Sequence, residues 1–245
     1  MSEVAVVRDA AEVAGAAAEL FIEATAGAAA ARGRACVALT GGGTAKPLFE
    51  KLRASPARDR IPWSAIQFFF TDERAVPPEH QESNYRIAES ELLRPVAIDR
   101  AQVHRMRGEA EDLDAEARRA ASDLKAIAGE PPRLDLVLLG LGPDGHICSL
   151  FAGVPSSAER GDDQLVRHVA APQHVDPHIE RLTLTPFVVV TARTVVLQVT
   201  GDKKAAVVAR ALKAPEDLVA CPAQWLRRAA GRVVVIADAA AASQL

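Results

Sequence analysis

The side chains best suited to chemistry gather in four short stretches. Asp144-Gly145-His146 follows Leu134 to Leu139, an apolar run broken only by Asp135. An apolar run this short reads as a strand buried on both faces. Gly140, Gly142, Pro143 and Gly145 then punctuate the backbone, so an ionisable pair sits just past the C-terminal end of a buried strand. In an open α/β sheet that edge is where ligands bind. The apolar residues after His146 predict the opening of a helix.

The other three stretches have a similar placement. Cys36 to Leu39 reads as a strand that runs into Thr40-Gly41-Gly42-Gly43-Thr44, followed by a helix from Ala45 to Arg53 with Pro47 in its first turn. Strand, glycine turn and helix make a phosphate-binding arrangement, because backbone N–H groups approach the anion and the helix N-terminus carries partial positive charge. The Thr40 to Thr44 loop itself has neither the G-x-x-x-x-G-K-[ST] nor the G-x-G-x-x-G spacing. Ile66 to Phe70 reads as a strand ending in the charged loop Thr71-Asp72-Glu73-Arg74. Val195 to Val199 reads as a strand ending in Thr200-Gly201-Asp202-Lys203-Lys204, with a helix to Leu212. Each stretch alone has a plainer reading: a core histidine, a tight turn, a solvated loop, a surface ion pair. Their recurrence in one chain favours a site.

The remaining elements must position these loops. Val4 to Val7 reads as an edge strand. Asp9 caps a helix from Ala10 to Arg32, which Gly33 ends. Ser83 heads a helix to Leu93, Ala115 to Ala128 is amphipathic, and Arg181 to Thr185 and Val233 to Ile236 read as strands. Pro155 to Glu180 is the least regular part. It holds His168, His174 and His178, but Pro177 keeps the last two off one regular helix, which weakens any metal reading. Alternating strands and helices call for an α/β fold, a three-layer α/β/α Rossmann-like arrangement with a mostly parallel sheet and helices on both faces. Residues 1–245 are expected to form one domain.

Composition narrows the class. Of the 245 residues, 49% are hydrophobic and 25% charged, as in an ordinary globular chain. The net charge of −3 gives no reason to expect nucleic acid, so any anion site must be local. Cys36, Cys148 and Cys221 show no paired spacing, which fits a reducing compartment. With no signal-peptide pattern and no apolar run approaching the ~20 residues of a membrane span, the expectation is a cytoplasmic protein without a membrane partner.

Taken together, LTGGGTAKPLFEKL (39–52), FFFTDERAVPPEHQESNY (68–85), LDLVLLGLGPDGHICSLFAG (134–153), and RLTLT with VTGDKKA (181–185 and 199–205) resemble the 6-phosphogluconolactonases. These belong with the glucosamine-6-phosphate deaminases/isomerases in one superfamily. The resemblance covers nearly the whole chain in order. It implies hydrolysis of 6-phospho-D-glucono-1,5-lactone, the second step of the oxidative pentose phosphate pathway, with no metal or organic cofactor. The implied partner is the small-molecule sugar-phosphate lactone, with the chain a monomer or weak homo-oligomer. The deaminase glutamate that supports the ring-opening histidine falls here on Phe151, whose ring cannot accept an imidazole proton. Cys148, the Pro186-Phe187 order and the VVVIAD stretch depart from the lactonase pattern without removing a charged residue.

On that reading the residues acquire roles. Lactone hydrolysis needs an activated water, a place for the oxyanion and a proton for the departing ring oxygen. An imidazole, with an ordinary pKa near ~6.5, can take the water proton and return it, so His146 is assigned as general base and then acid. Asp144 either orients the imidazole or binds a sugar hydroxyl. Ser149 lacks a G-x-S-x-G elbow, which disfavours a nucleophilic route. Gly42, Gly43 and Thr44 offer N–H groups and a hydroxyl to the phosphate, with Arg74, Arg181 and Lys204 as cations. Lys204 is preferred to Lys203 because the family lysine directly precedes alanine. Arg74 alternatively serves the oxyanion, and Asp72 serves the sugar hydroxyls or holds Arg74. The rivals are an amino-sugar-phosphate deaminase/isomerase and a non-catalytic sugar-phosphate sensor.

Overall fold

The computed structural model describes residues 2–245. Its main sheet is built from β1 (Glu3–Val7), β2 (Ala35–Leu39), β3 (Ile66–Phe70), β5 (Leu136–Gly140), β8 (Thr194–Val199) and β9 (Arg232–Asp238), in the order β1-β9-β8-β5-β2-β3. Every pairing is parallel. Parallel strands need crossovers, and these supply the covering helices. On one face lie α1 (Ala10–Arg32), α2 (Ala45–Arg53) and α3 (Asn84–Ala88), the last continuing as a wide π-helical turn over Glu89–Leu93. On the other lie α4 (Leu113–Ala128), α5 (Pro186–Thr191) and α6 (Ala205–Lys213).

The three consecutive phenylalanines show how the sequence makes two cores. Successive strand residues point to opposite faces. Phe68 and Phe70 therefore pack with Phe21 of α1 and Leu48 of α2, while Phe69 joins Ala120 and Leu124 of α4. Removing a fully buried ring such as Phe70 costs about 3–5 kcal/mol. Local signals set the ends of α1. Asp9 Oδ1 accepts from Glu12 N–H at 3.0 Å, and Gly33 takes φ 72°, its N–H donating to Ala29 O at 2.8 Å. By length and hydropathy α1 would suffice to cross a membrane, contrary to the expectation that no stretch approached that length. Alanine supplies that hydropathy, and Val13, Ala17 and Phe21 bury against the sheet.

Strand order determines where a ligand can enter. From β2 the chain moves outward through α2 to β3, whereas from β5 it proceeds the opposite way to β8 and β9. The connections diverge between the C-terminal ends of β2 and β5, which opens a crevice there.

A second sheet borders this crevice. The Asp72–Arg74 stretch, expected to be a loop, is strand β4, and Arg181–Leu184 is β7. With β6 (Val166–Val169) they form an antiparallel sheet ordered β4-β7-β6, outside the parallel one. The irregular segment therefore contributes one of its strands. The helix expected after His146 is absent. Leu150 N–H instead bonds Ile147 O at 3.0 Å, and Cys148 adopts φ 52°. Ser149 explains the turn: its N–H donates to Thr183 Oγ1 at 3.0 Å and its hydroxyl to Asp72 Oδ2 at 2.7 Å, pinning the stretch to the small sheet.

Candidate active site

The crevice is a cavity of about 500 Å³, within the range typical of small-molecule sites. The loops after β2, β5 and β8 line three sides, and β4 and β7 close the fourth. Gly42, Gly43, Thr44, Asp72, Arg74, His146, Arg181 and Lys204 all line it. Asp144 lies behind the histidine.

The loop after β5 holds the imidazole in one orientation. His146 Nδ1 lies 2.6 Å from Asp144 Oδ1. A carboxylate only accepts, so in the neutral imidazole the ring proton sits on Nδ1 and Nε2 keeps a free lone pair. Of the two roles open to Asp144, orientation is the one the geometry matches. Burial acts to raise the Asp144 carboxyl, but hydrogen bonds and charge from His146, with help from His174, outweigh it and hold the group well below the usual carboxylate range. Asp144 Oδ2 also meets His174 Nε2 at 3.1 Å and Ala152 N–H at 3.3 Å. Phe151 lies edge-on to the His146 ring, with centroids 5.2 Å apart. The loop is drawn closed by Gly142 N–H on His146 O at 2.9 Å. A Cβ on Gly142 would lie 2.0 Å from His146 Nδ1, so no side chain is compatible with this ring position.

The opposite wall is cationic. Gly42 takes φ 77° at the entry to α2, and the Thr44 side chain makes no capping bond. Arg74 and Arg181 are register partners across β4 and β7. Arg74 Nη1 donates to Glu82 O at 2.5 Å and Arg181 Nη2 to Pro177 O at 2.8 Å. Arg74 Nε and Arg181 Nη1 are buried without a partner in the protein. Burial, reinforced by the Arg74 charge, pushes Arg181 down to about 10. Lys204 Nζ donates to Leu141 O at 2.6 Å, and burial lowers this amine despite the opposing pull of Asp144. Lys203 does not line the cavity.

Asp72 is buried and binds the hydroxyls of Ser149 and Thr71, at 2.7 and 3.1 Å. It does not hold Arg74, which pairs with Glu82 at 3.7 Å instead. The Ser149 hydroxyl donates to Asp72 rather than to His146. Three further residues escaped the sequence reading. Asn84 lines the cavity, its Nδ2 donating to Asp72 O at 3.0 Å. Gln198 lines it from the end of β8. His174 reaches Asp144 from the irregular segment. Of these only Gln198 carries a local signal, a polar residue interrupting an apolar strand.

Comparison with known proteins places the chain in a family. The family model described as glucosamine-6-phosphate isomerases/6-phosphogluconolactonase matches residues 8–235. The 6-phosphogluconolactonase of Streptomyces coelicolor is 38% identical over 97% of this chain and 92% of its own. That of Mycobacterium tuberculosis is 39% identical over 85% and 84%. Among solved structures, the 6-phosphogluconolactonase from Trypanosoma brucei superposes with a TM-score of 0.86 at 28% identity, covering 100% and 99% of the two chains. A monomeric glucosamine-6-phosphate deaminase gives 0.85 at 20% identity over 99% and 100%, a likeness of fold alone. The chain belongs to the 6-phosphogluconolactonase family, within the wider group that includes the glucosamine-6-phosphate isomerases.

Proposed function

We propose that the cavity hydrolyses 6-phospho-D-glucono-1,5-lactone with His146 as general base. The lactonase activity itself, a step of the pentose phosphate pathway, follows from relatives 38–39% identical over most of the chain. The observation that carries the proposed chemistry is the 2.6 Å bond from His146 Nδ1 to Asp144. It frees Nε2 to take a proton from water as that water attacks C1. Electrons move onto the carbonyl oxygen, forming a tetrahedral intermediate. Collapse expels the ring oxygen, which receives the proton held on His146. The product acid ionises to 6-phosphogluconate.

The phosphate is remote from C1 and serves as an anchor whose binding positions the lactone. Gly42, Gly43 and Thr44 supply N–H groups and a hydroxyl, and Arg74, Arg181 and Lys204 supply positive charge. Asp72, with its carboxylate facing the cavity wall, accepts from a sugar hydroxyl. The whole chain works as one domain in this reading. Relatives include chloroplastic forms from rice, so compartment varies in the family; for this chain the cytoplasm remains the proposal.

The test follows decay of 6-phosphogluconolactone generated in situ, beside unphosphorylated gluconolactone, with the spontaneous rate subtracted. Rapid loss of the phosphorylated lactone alone is the expected result. Equal acceleration of both would remove the phosphate anchor. Acceleration of neither would overturn the proposal.

A further inference from the structure

We infer that Gln198 reads a hydroxyl of the sugar-lactone ring and so helps set substrate selectivity, an inference that rests on the lactonase reading. Gln198 is only 1% exposed and lines the cavity. Neither its Oε1 nor its Nε2 has a hydrogen-bond partner within the protein. A buried polar group left in that state has lost its hydration without compensation, and an arriving ligand can supply the missing partner.

Register shows where the amide lies. On β8, Gln198 pairs with Gly140 of β5 and Ile236 of β9. Register partners project from one face of a sheet. Val196, two residues earlier, packs in the core beneath α1 and α2, so Gln198 is the last side chain on that face before the crevice. Its neighbour Gly140 has no side chain, and a Cβ there would lie 3.2 Å from Thr44 Oγ1. The glycine therefore leaves open the space between Gln198 and the start of α2.

The chemistry of the amide selects its ligand. It offers donors on Nε2 and an acceptor on Oε1. A phosphate dianion only accepts and would leave Oε1 facing negative charge. A hydroxyl both donates and accepts, and satisfies both ends. The phosphate already has three cations along the cavity, whereas Asp72 and Asn84 are polar groups on its wall that suit neutral oxygens. Asn84 Oδ1 is likewise buried without a protein partner, so the two amides offer complementary points of reading for neutral oxygen groups.

The experiment compares wild type with Gln198→Leu and Gln198→Glu. The substrates are 6-phosphogluconolactone and its 2-deoxy, 3-deoxy and 4-deoxy analogues. A site built to bond a hydroxyl discriminates strongly against its loss. Gln198→Leu should lower kcat/KM on the parent by about 10-fold or more, yet by less than about threefold on the one analogue that lacks the hydroxyl being read. Gln198→Glu, which removes the donor, should also lose activity on the parent. Thermal unfolding of ligand-free Gln198→Leu should occur no lower than in wild type, since an unpaired buried amide is removed. Equal losses on all three analogues would overturn the inference. So would unchanged kcat/KM on the parent, or lower stability with unchanged kinetics, which marks a structural residue. Failure of the underlying lactonase reading is distinct, because wild type itself would then accelerate no lactone.

Discussion

Arg74 and Arg181 stand directly opposite each other across the β4–β7 pair, two like charges at one register position. Like charges placed directly opposite each other across a strand pair are destabilising. Each retains a buried guanidinium nitrogen without a protein partner. A dianion between them would relieve the repulsion and satisfy both. Arg181→Ala should therefore weaken binding of 6-phosphogluconate while leaving kcat within a few-fold. Isothermal titration against wild type checks this, and equal affinity would remove Arg181 from the anchor.

The same wall predicts a pH dependence. Burial lowers Lys204, and burial with the Arg74 charge brings Arg181 down to about 10. Both groups are charged below their pKa and neutral above it, and the anchor requires charge. Affinity for 6-phosphogluconate should fall as pH rises towards about 10, with Lys204 losing its proton below the ordinary lysine range. The stable product is the proper probe, since δ-lactones open unaided in alkali. Affinity that stays level across this alkaline range would contradict the assignment.

On the opposite side of the cavity, His146→Ala should lower kcat by ~10²–10⁴-fold with little change in 6-phosphogluconate affinity. Asp144→Asn tests orientation separately. An amide can donate to Nδ1 and stabilise the wrong tautomer, an error that costs up to ~10⁴-fold in serine-protease triads. Steady-state kinetics on both variants decide the point. Activity within a few-fold of wild type for His146→Ala would dismiss it as the base.

Gly142→Ala is a more local test. Its Cβ would fall 2.0 Å from His146 Nδ1, so the ring must move. A displacement of about 1 Å can cost ~10²-fold in rate. The variant should keep its affinity for 6-phosphogluconate and lose kcat. Wild-type kcat in a folded Gly142→Ala protein would show that the ring has latitude the geometry does not suggest.

Much of this site was legible because its parts are local. Asp144 and His146 are two residues apart, and Gly42, Gly43 and Thr44 run straight into α2. Strand, turn and helix in sequence put such loops at one sheet edge whatever the rest of the chain does. What escaped depends on distant pairing. Asp72–Arg74 is too short to announce itself as a strand and becomes one only by meeting Arg181–Leu184. His174 reaches Asp144 across 30 positions through an irregular segment. The helix expected after His146 lost to hydrogen bonds from Ser149 to Thr183 and Asp72, partners remote in sequence.

The small antiparallel sheet has a consequence for how this fold diversifies. The arginines ride on β4 and β7, while the imidazole and its carboxylate ride on the turn after β5. On the proposed roles, recognition of the phosphate handle and choice of reaction would be written on separate pieces of chain. On that reading a lineage could rewrite the turn and inherit its grip on sugar phosphates intact. Selection then acts on new chemistry in an ancestor that already holds the right class of molecule.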